Sequence, residues 1–357
     1  MAAPKKDKRP AQPTMGATGT LAERLVGAIR VAFGKNSAML AGRGRPVSEV
    51  TKVVPTGIDV VDNWVLGCGG LPCGRLIELY SDEGGGKSTM MMTAAACAQR
   101  LGGVAIIAET EKSLTVTRLR ALGVDPDQLV LLEPDTIEDV LRQAEMVITA
   151  IPANSPGPVL FAWDSLAATP TKEEVENGIV GDEMASDRAK TLSRACRVLA
   201  GLASRHNVCV LVVNQTRTKF GGGWGGEDVT TPGGKAIKFY ASVRLRIMGG
   251  TAIKDTLGVH IGKDVTVMAV KNKLASPWRK ARARLRYATG WDNGWSDLSL
   301  AKDMKLLPEG TTAIPKGFAE AKAALAVFYS TRAASVTLDA PDDAEPEDDG
   351  PPDDGEE

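Results

Sequence analysis

The stretch Ser81-Asp82-Glu83-Gly84-Gly85-Gly86-Lys87-Ser88-Thr89 decides the fold, because it lies between an apolar run ending at Tyr80 and a helical pattern. In such a strand-to-helix turn, successive backbone N–H groups point at a phosphate and the helix dipole favours its negative charge. The Lys87 ammonium adds a mobile cation, and the Ser88 hydroxyl is suited to hold Mg²⁺. The stretch therefore predicts a nucleotide site that uses all nine residues.

One position of this loop departs from the usual pattern. The motif normally reads G-x-x-x-x-G-K-[ST], and Ser81 stands where the first glycine is expected. That position needs a tight turn, although Gly84, Gly85 and Gly86 leave the rest of the loop permissive. A glycine-rich turn without function is the alternative, and the Gly-Lys-Ser at a strand-to-helix junction argues against it.

Two acidic segments supply the other groups that a nucleotide site requires. Asp164 ends the apolar run 159–163 and is expected to orient the water shell of the metal, with capping of the next turn as the alternative. Glu109 and Glu111 follow the apolar run 104–108, and one of them would activate water for hydrolysis. The spacing alone does not choose between these two carboxylates.

Short apolar runs alternate with helical patterns from about residue 53, which is typical of a parallel sheet covered by helices. The predicted strands are 75–80, 104–108, 129–132, 159–163 and 208–213, and the predicted helices are 88–100, 115–122, 136–150 and 183–204. After residue 236 the pattern predicts strands 237–247, 265–270 and 283–287 without long helices. The fold class is therefore α/β, with a mostly parallel central sheet extended by antiparallel strands.

The two ends of the chain differ from this core. A basic, proline-containing arm (1–19) precedes a helix that Thr20 and Glu23 open as a capping box and Gly34 ends. The apolar stripe of this helix must pack on its own domain or on a neighbouring subunit. The predicted domains are the arm and oligomerisation helix (1–52), the core (53–288), a small C-terminal subdomain (289–338) and a disordered acidic tail (339–357).

The net charge of −1 conceals an uneven distribution. Residues 339–357 hold eleven acidic and no basic residues, which leaves 43 basic against 33 acidic residues in 1–338. A body of +10 with a tail of −11 is typical of a polyanion-binding protein whose tail competes for the same surface. A contribution to solubility alone is the alternative for the tail.

Composition also excludes several classes of protein. No run approaches 18 apolar residues and the first 20 residues lack the apolar core of a signal peptide, so we expect a cytoplasmic protein that does not bind membranes. The five cysteines have no CxxC spacing, and the only two histidines, His206 and His260, lie apart from any zinc pattern. Reduced, mostly buried thiols are therefore expected rather than disulfides or zinc ligands.

Together, the motifs resemble the bacterial RecA recombinase family, phage-encoded relatives included, over about residues 30–288. In chain order they are FGKNS (33–37), PTG (55–57), GGLPCGR (69–75), the phosphate loop, LGVD (122–125), PDT (134–136), WDS (163–165), NQ (214–215), GGKAIKFYAS (233–242) and KNK (271–273). So many independent motifs in one order exclude a chance similarity.

The resemblance implies a RecA-like DNA-dependent ATPase that binds ATP and Mg²⁺ between protomers and forms a helical filament on single-stranded DNA. Such a filament pairs with homologous duplex DNA and exchanges strands in recombination and DNA repair, with repressor or repair proteins as further partners. The resemblance also assigns Glu111 to the attacking water, Gln215 to sensing the terminal phosphate, and Lys271 and Lys273 to the neighbour's nucleotide. Without it, Lys-Asn-Lys would be most simply a solvated turn.

Two segments are candidates for binding DNA. Flexible basic loops with an occasional aromatic residue suit a single strand, because cations neutralise phosphates and apolar side chains contact bases. A solvated loop and helix face are the alternative without the resemblance. The candidates are Met184, Lys190 and Arg197 in or after the loop 176–184, and Arg217, Phe220, Thr230, Thr231, Gly233 and Gly234 in or next to the loop 216–232.

Several departures from the family keep other functions open. Thr115 and Arg118 stand where the family usually has Asp and an aromatic residue that packs on adenine. Either the Arg118 guanidinium contacts the base instead, or the contact with the base is weaker. The region after 289 is shorter than the family's C-terminal domain. A RecA-like ring motor or helicase is one alternative, and a non-hydrolysing interaction protein that retains the fold is the other.

Overall fold

The computed structural model describes residues 19–35, 37–40, 49–152, 155–177, 183–218 and 229–335. These residues belong to two compact units, residues 1–49 and residues 50–357. The predicted acidic tail and nearly all of the predicted basic arm lie outside the described residues, as do parts of both loops proposed to bind DNA.

The first unit contains the helix α1 (Leu21–Phe33). The predicted capping box is present: Glu23 N–H donates to the Thr20 hydroxyl at 3.3 Å, and Thr20 N–H donates to the Glu23 carboxylate at 2.7 Å. Gly34 follows the helix with a φ of +100°. The four side chains of the apolar stripe, at 21, 25, 29 and 33, are each at least 39% exposed.

Strands and helices alternate along the second unit. The strands are β1 (Val53–Val54), β2 (Leu71–Pro72), β3 (Leu76–Ser81), β4 (Val104–Glu109), β5 (Leu129–Leu132), β6 (Val159–Asp164), β7 (Cys209–Gln215), β8 (Arg217–Thr218), β9 (Val229–Thr230), β10 (Val243–Met248), β11 (Ala252–Lys254), β12 (His260–Asn272), β13 (Lys280–Arg286) and β14 (Gly290–Asp292). The helices are α2 (Lys87–Arg100), α3 (Val116–Ala121), α4 (Ile137–Thr149), α5 (Lys172–Asn177), α6 (Glu183–His206), α7 (Gly234–Tyr240), α8 (Asn293–Asp303) and α9 (Pro315–Ser335).

Within the described residues, ten of these strands form one mixed sheet in the order β14-β13-β12-β10-β3-β7-β6-β4-β5, with β11 paired to β12. The strands from β10 to β5 run parallel, whereas β11, β12, β13 and β14 pair antiparallel. This arrangement confirms the predicted α/β class and the antiparallel extension of a parallel sheet.

Both faces of the central strands are covered, which explains why these strands are continuously apolar. Side chains alternate between the faces, so Leu160 and Ala162 of β6 join the core formed with α2, α8 and α9. Phe161 and Trp163 of the same strand join the core formed with α4 and α6. The helices after residue 289 therefore share the core of the sheet.

The predicted strand 237–247 is wrong in its first part. Residues Gly234–Tyr240 form α7, and β10 begins only at Val243. Apolar residues occupy every second position of this segment from Ile237 to Ile247, and such alternation is typical of a strand. In the structure α7 packs beside α6 and buries Ile237, while Phe239 stays 73% exposed.

The helix α8 was not predicted from the sequence, although Asp292 caps its start by accepting a hydrogen bond from Trp295 N–H at 3.0 Å.

Across the residues that the structure describes, no helix combines the length and the apolar character needed to cross a bilayer. The five cysteines are free thiols, and all except Cys68 are buried. Burial raises the pKa of the Cys73 thiol to about 11.

A buried polar network joins β3, β7 and β10 beside the 216–232 loop. The Glu78 carboxylate, on β3, is fully buried and accepts from Arg244 Nε at 2.5 Å and from Asn214 Nδ2 at 2.9 Å. Asn214 also donates to the Pro232 carbonyl at 2.8 Å. The guanidinium of Arg244 lies over the Tyr80 ring, 4.9 Å from its centroid. One end of the loop is thereby tied to the core.

Removing the cation of this network should be costly. We expect Arg244→Met to lower the free energy of unfolding by about 3–5 kcal/mol, because it leaves the buried Glu78 carboxylate without a counter-charge. The double variant Glu78→Gln/Arg244→Met should lose less. Denaturant unfolding followed by circular dichroism measures both, and a loss below about 1 kcal/mol for Arg244→Met would contradict this account of the ion pair.

Candidate functional site

The candidate site lies where four parallel strands end at one edge of the sheet. Register pairs Ser81 of β3 with Gln215 of β7, and Glu109 of β4 with Asp164 of β6. Ligands of open α/β sheets bind outside the carboxyl ends of such strands. The sheet order therefore assembles groups that lie far apart in the sequence.

A cavity of about 270 Å³ opens at this edge. It is lined by Glu83, Gly84, Gly85, Gly86, Lys87, Ser88, Thr89, Glu111, Arg118, Asp164, Gln215, Leu285 and Tyr287. Most of the predicted nucleotide-site residues of one chain are thus brought together. Ser81 and Asp82 support the loop from outside the cavity lining, and Lys271 and Lys273 do not line it.

The loop conformation depends on glycine. Gly84 and Gly86 have φ values of +64° and +101°, in the left-handed region that other residues rarely adopt. Gly86 also precedes α2, and a Cβ placed there would lie 3.1 Å from Leu285 and 3.2 Å from Trp291. Lys87, Ser88 and Thr89, the first residues of α2, line the cavity, so the free backbone N–H groups of this first turn lie beside it, as binding of an anion requires.

Lys87 lies beneath the loop and is 8% exposed. Its ammonium donates to the Ser81 carbonyl at 3.2 Å, to the Ser81 hydroxyl at 3.1 Å and to the Asp82 carbonyl at 2.9 Å. Burial lowers the pKa of Lys87, whereas the charges of Asp164 and Glu111 act in the opposite direction. The lysine is thus held in place for a phosphate by the backbone of its own loop.

The side chain of Ser81 is accommodated by a glycine within the loop. The Ser81 hydroxyl donates to the Asp82 carbonyl at 2.7 Å, and the side chain is buried. A Cβ on Gly85 would lie 2.0 Å from the Ser81 hydroxyl oxygen, a separation that real structures do not show. Glycine at 85 therefore provides the space that serine at 81 occupies, and Ser81 adds an acceptor for Lys87.

Ser88 and Asp164, the two residues predicted to hold the metal, are in direct contact. The Ser88 hydroxyl donates to the Asp164 carboxylate at 2.8 Å. Burial, followed by the charges of Glu111 and Glu109, raises the pKa of Asp164 to about 6, whereas the hydrogen bond from Ser88 acts in the opposite direction. Mg²⁺ in nucleotide sites takes one or two carboxylates, a hydroxyl and substrate phosphates, and keeps several waters. The residues present fit this ion.

The geometry distinguishes the two glutamates that the spacing left open. Glu109 is buried and accepts from Ser113 N–H at 3.0 Å, outside the cavity lining. Glu111 lines the cavity and accepts from the Ser165 hydroxyl at 2.5 Å and from Gln215 Nε2 at 3.3 Å. A water in the cavity can therefore reach Glu111.

The cavity lining includes two residues that sequence reasoning missed, Leu285 and Tyr287. Arg118 donates to the Tyr287 carbonyl at 2.5 Å and to the Thr89 hydroxyl at 3.3 Å, so its guanidinium connects Tyr287 with the first turn of α2. The strand 283–287 was predicted, but no local signal places its end beside α2. An aromatic side chain at 287 offers a surface for a flat base.

The two lysines assigned to a neighbour's nucleotide lie away from the cavity, at and just after the end of β12, which pairs with the start of β10. Lys271 donates to the carbonyls of Lys238 and Phe239, at 2.6 Å and 3.2 Å, at the end of α7. Burial lowers the pKa of Lys271, and the charges of Lys273 and Arg244 add to this effect. Lys273 is exposed.

On α6, the predicted DNA contacts Lys190 and Arg197 are exposed. Lys190 donates to Asp187 at 2.8 Å. Arg188, two residues before Lys190 on the same helix, instead pairs with Glu174 at 2.6 Å and donates to the backbone carbonyls of Ala167 and Thr169 after β6. Arg188 is therefore a structural residue. The side chain of Met184 lies outside what the structure describes.

The 216–232 loop is described only at its base, where β8 pairs antiparallel with β9. Phe220 and the side chains of Arg217 and Thr230 lie outside the described part. Thr231 is 5% exposed, so its contact with DNA would require a rearrangement of the loop base. Gly233 and Gly234 open α7 with φ values of +94° and +55°.

The fit between Ser81 and Gly85 can be tested directly. We expect Gly85→Ala to lower the free energy of unfolding by about 1–3 kcal/mol, because the new methyl group overlaps the Ser81 hydroxyl. The double variant Ser81→Gly/Gly85→Ala should recover most of this loss. Thermal denaturation of the single and double variants measures it, and additive losses would show that the two positions do not compensate each other.

Comparisons with known proteins agree with this geometry. The family described as RecA N-terminal domain matches residues 21–292. Protein RecA of Geobacter metallireducens is 38% identical over 275 residues, covering 77% of this chain and 78% of that protein. Protein RecA of Salinispora tropica is 41% identical over 258 residues, covering 72% and 71%. Protein RecA of Francisella philomiragia is 39% identical over 268 residues, covering 75% and 72%. The chain belongs to the RecA family.

Proposed function

We propose that this protein is a DNA-dependent ATPase that forms ATP-bound filaments on single-stranded DNA and promotes homologous pairing and strand exchange. Membership of the RecA family supports a function in recombination and DNA repair. One observation carries the proposal of ATP turnover: the phosphate loop, the Ser88–Asp164 pair, Glu111 and Gln215 share one cavity.

In this proposal the loop binds and orients the triphosphate. The backbone N–H groups at the start of α2 and the Lys87 ammonium hold the phosphate oxygens, and Ser88 and Asp164 hold Mg²⁺. Mg²⁺, when bound, neutralises charge that develops on the transferring phosphoryl group. Arg118 and Tyr287 limit the cavity on the side where the base would lie.

Glu111 acts on the attacking water. Its carboxylate is fixed by Ser165 and Gln215 but remains accessible from the cavity, so it can accept a hydrogen bond from a water in line with the terminal phosphate. Glu109 lacks this access. Lys271 and Lys273 would come from the adjacent protomer and add positive charge at the same phosphate.

Gln215 connects the cavity with the DNA-binding loop. Its side-chain amide donates to Glu111 at 3.3 Å, and the residue directly precedes the 216–232 loop. A terminal phosphate can accept from the same amide, so its presence biases the position of the loop. ATP would therefore favour the DNA-binding state, and hydrolysis would release it.

Neither alternative function gains support from a specific observation. A ring motor gives no reason for the segment GGKAIKFYAS at 233–242. A protein that has lost turnover was suggested by Ser81, yet Gly85 accommodates that serine and Lys87 keeps its position.

Two substitutions test the ATPase. We expect Glu111→Gln to lower the DNA-stimulated kcat by at least about 100-fold, because the amide cannot accept a proton from water, while nucleotide binding persists. Lys87→Ala should abolish nucleotide binding. Steady-state hydrolysis with and without single-stranded DNA measures both.

Glu109→Gln is the matched control for Glu111→Gln, because it makes the same chemical change two residues away on a side chain that does not line the cavity. It should keep hydrolysis within a few-fold of the original protein. Equal losses from the two glutamine variants would refute the assignment of Glu111.

Assembly is proposed to use α1. The exposed apolar stripe of this helix would dock on the adjacent protomer in the filament. We expect deletion of residues 1–34 to shorten filaments seen by electron microscopy and to reduce the DNA-stimulated ATPase activity. Leu25→Glu, which places a charge in the stripe, should act in the same direction.

The matched control is Gly27→Glu, because position 27 lies on the opposite face of α1 and is open to solvent. Its filaments should keep their length. If the deletion and Leu25→Glu both left filament length unchanged, α1 would not be an assembly element.

A further inference from the structure

Two neighbouring residues at the end of β7 contact two different parts of the nucleotide site. Gln215 reaches Glu111, whereas the hydroxyl of Thr216 donates to the Asp82 carboxylate in the phosphate loop. Successive side chains of an extended strand point in opposite directions, which allows this division. Thr216 N–H also donates to the Ser81 carbonyl at 3.1 Å. The first residue of the 216–232 loop is thus joined to the phosphate loop twice.

The position of Asp82 depends on the phosphate-binding lysine. The Asp82 carbonyl accepts from Lys87 Nζ at 2.9 Å, from the Ser81 hydroxyl at 2.7 Å and from Gly85 N–H at 3.2 Å. A phosphate bound in the loop competes with this carbonyl for the Lys87 ammonium and for the loop N–H groups. Binding of phosphate therefore changes the forces on Asp82.

The two ends of the 216–232 loop have different anchors. Its far end is held by Asn214, which donates to the Pro232 carbonyl and to the buried Glu78. Its near end is held at Thr216 by the phosphate loop. β8 follows Thr216 directly and pairs with β9, which lies two residues before the anchored Pro232. A shift of Thr216 therefore acts on β8, while β9 is held near the core.

We propose that the Asp82–Thr216 hydrogen bond is a second coupling contact, through which phosphates in the loop position the DNA-binding loop. This inference rests on the proposed function. Gln215 responds to the terminal phosphate, whereas Asp82 responds to any nucleotide whose β-phosphate occupies the loop. Thr216 and Asp82 are accordingly positioning residues, and ADP is sufficient to act through them.

The test compares the affinity for a fluorescent single-stranded oligonucleotide without nucleotide, with ADP and with a non-hydrolysable ATP analogue, at fixed salt concentration. Thr216→Val lacks the hydroxyl. We expect the factor by which ADP changes the Kd for DNA to move toward one in this variant, by about tenfold or more, the weight of one hydrogen bond to a charged group. The ratio of the Kd values with ADP and with the ATP analogue should persist, since Gln215 is intact.

Four further variants serve as controls for the inference. Thr216→Ser keeps the hydroxyl and should retain the ADP effect. Asp82→Ala should lose as much of the ADP effect as Thr216→Val, and the double variant no more than either, because one contact is removed in all three. Thr149→Val removes a remote exposed hydroxyl that bonds only within α4 and should change nothing.

The outcomes distinguish a failure of the Asp82–Thr216 coupling contact from a failure of the proposed function. If the unmodified protein shows nucleotide-dependent DNA binding and Thr216→Val keeps the full ADP effect, the second coupling contact is refuted while the proposed function stands. Additive losses in the double variant, or an equal loss in Thr216→Ser, also refute it. If no nucleotide changes the DNA affinity of the unmodified protein, the proposed function itself fails.

Discussion

The parallel ladder between β3 and β7 is the constraint on which the site depends. β3 ends in the phosphate loop and β7 ends at Gln215, and the register pairs Ser81 with Gln215. This single pairing brings a phosphate-binding backbone beside the start of a loop that is proposed to bind DNA. The buried Glu78–Arg244 ion pair and Asn214 fix the same two strands with β10. A change in either strand would disturb both of the proposed binding sites together.

The phosphate loop shows how a departure from a motif can be compensated locally. Serine at 81 fills space that glycine at 85 leaves open, and its hydroxyl becomes an acceptor for Lys87. The buried lysine then has acceptors from the loop itself, which offset the desolvation of its charge. The consequence is a loop of altered composition that still directs its N–H groups and its cation into one cavity.

Much of the fold could be predicted because its signals are local. Continuous apolar runs identified the strands β4 to β7, and Thr20 with Glu23 identified the start of α1. The segment around Ile237 was misread because alternating apolar residues suit a strand or a short helix, and only packing beside α6 decides between them. Tyr287 was missed as a site residue because its place at the cavity depends on the pairing of β13, far from α2 in the sequence.

The sequence by itself determined the phosphate loop, since its chemistry depends on the backbone conformation of nine consecutive residues. It also identified the carboxylates at the strand ends as candidates for orienting the metal and for activating water. Only the tertiary structure decided between Glu109 and Glu111 on geometric grounds, because one side chain turns into a buried contact and the other into the cavity. The pairs Ser88–Asp164, Glu111–Gln215 and Asp82–Thr216 join residues 76, 104 and 134 positions apart. Such contacts follow from strand order and register, which no local pattern encodes.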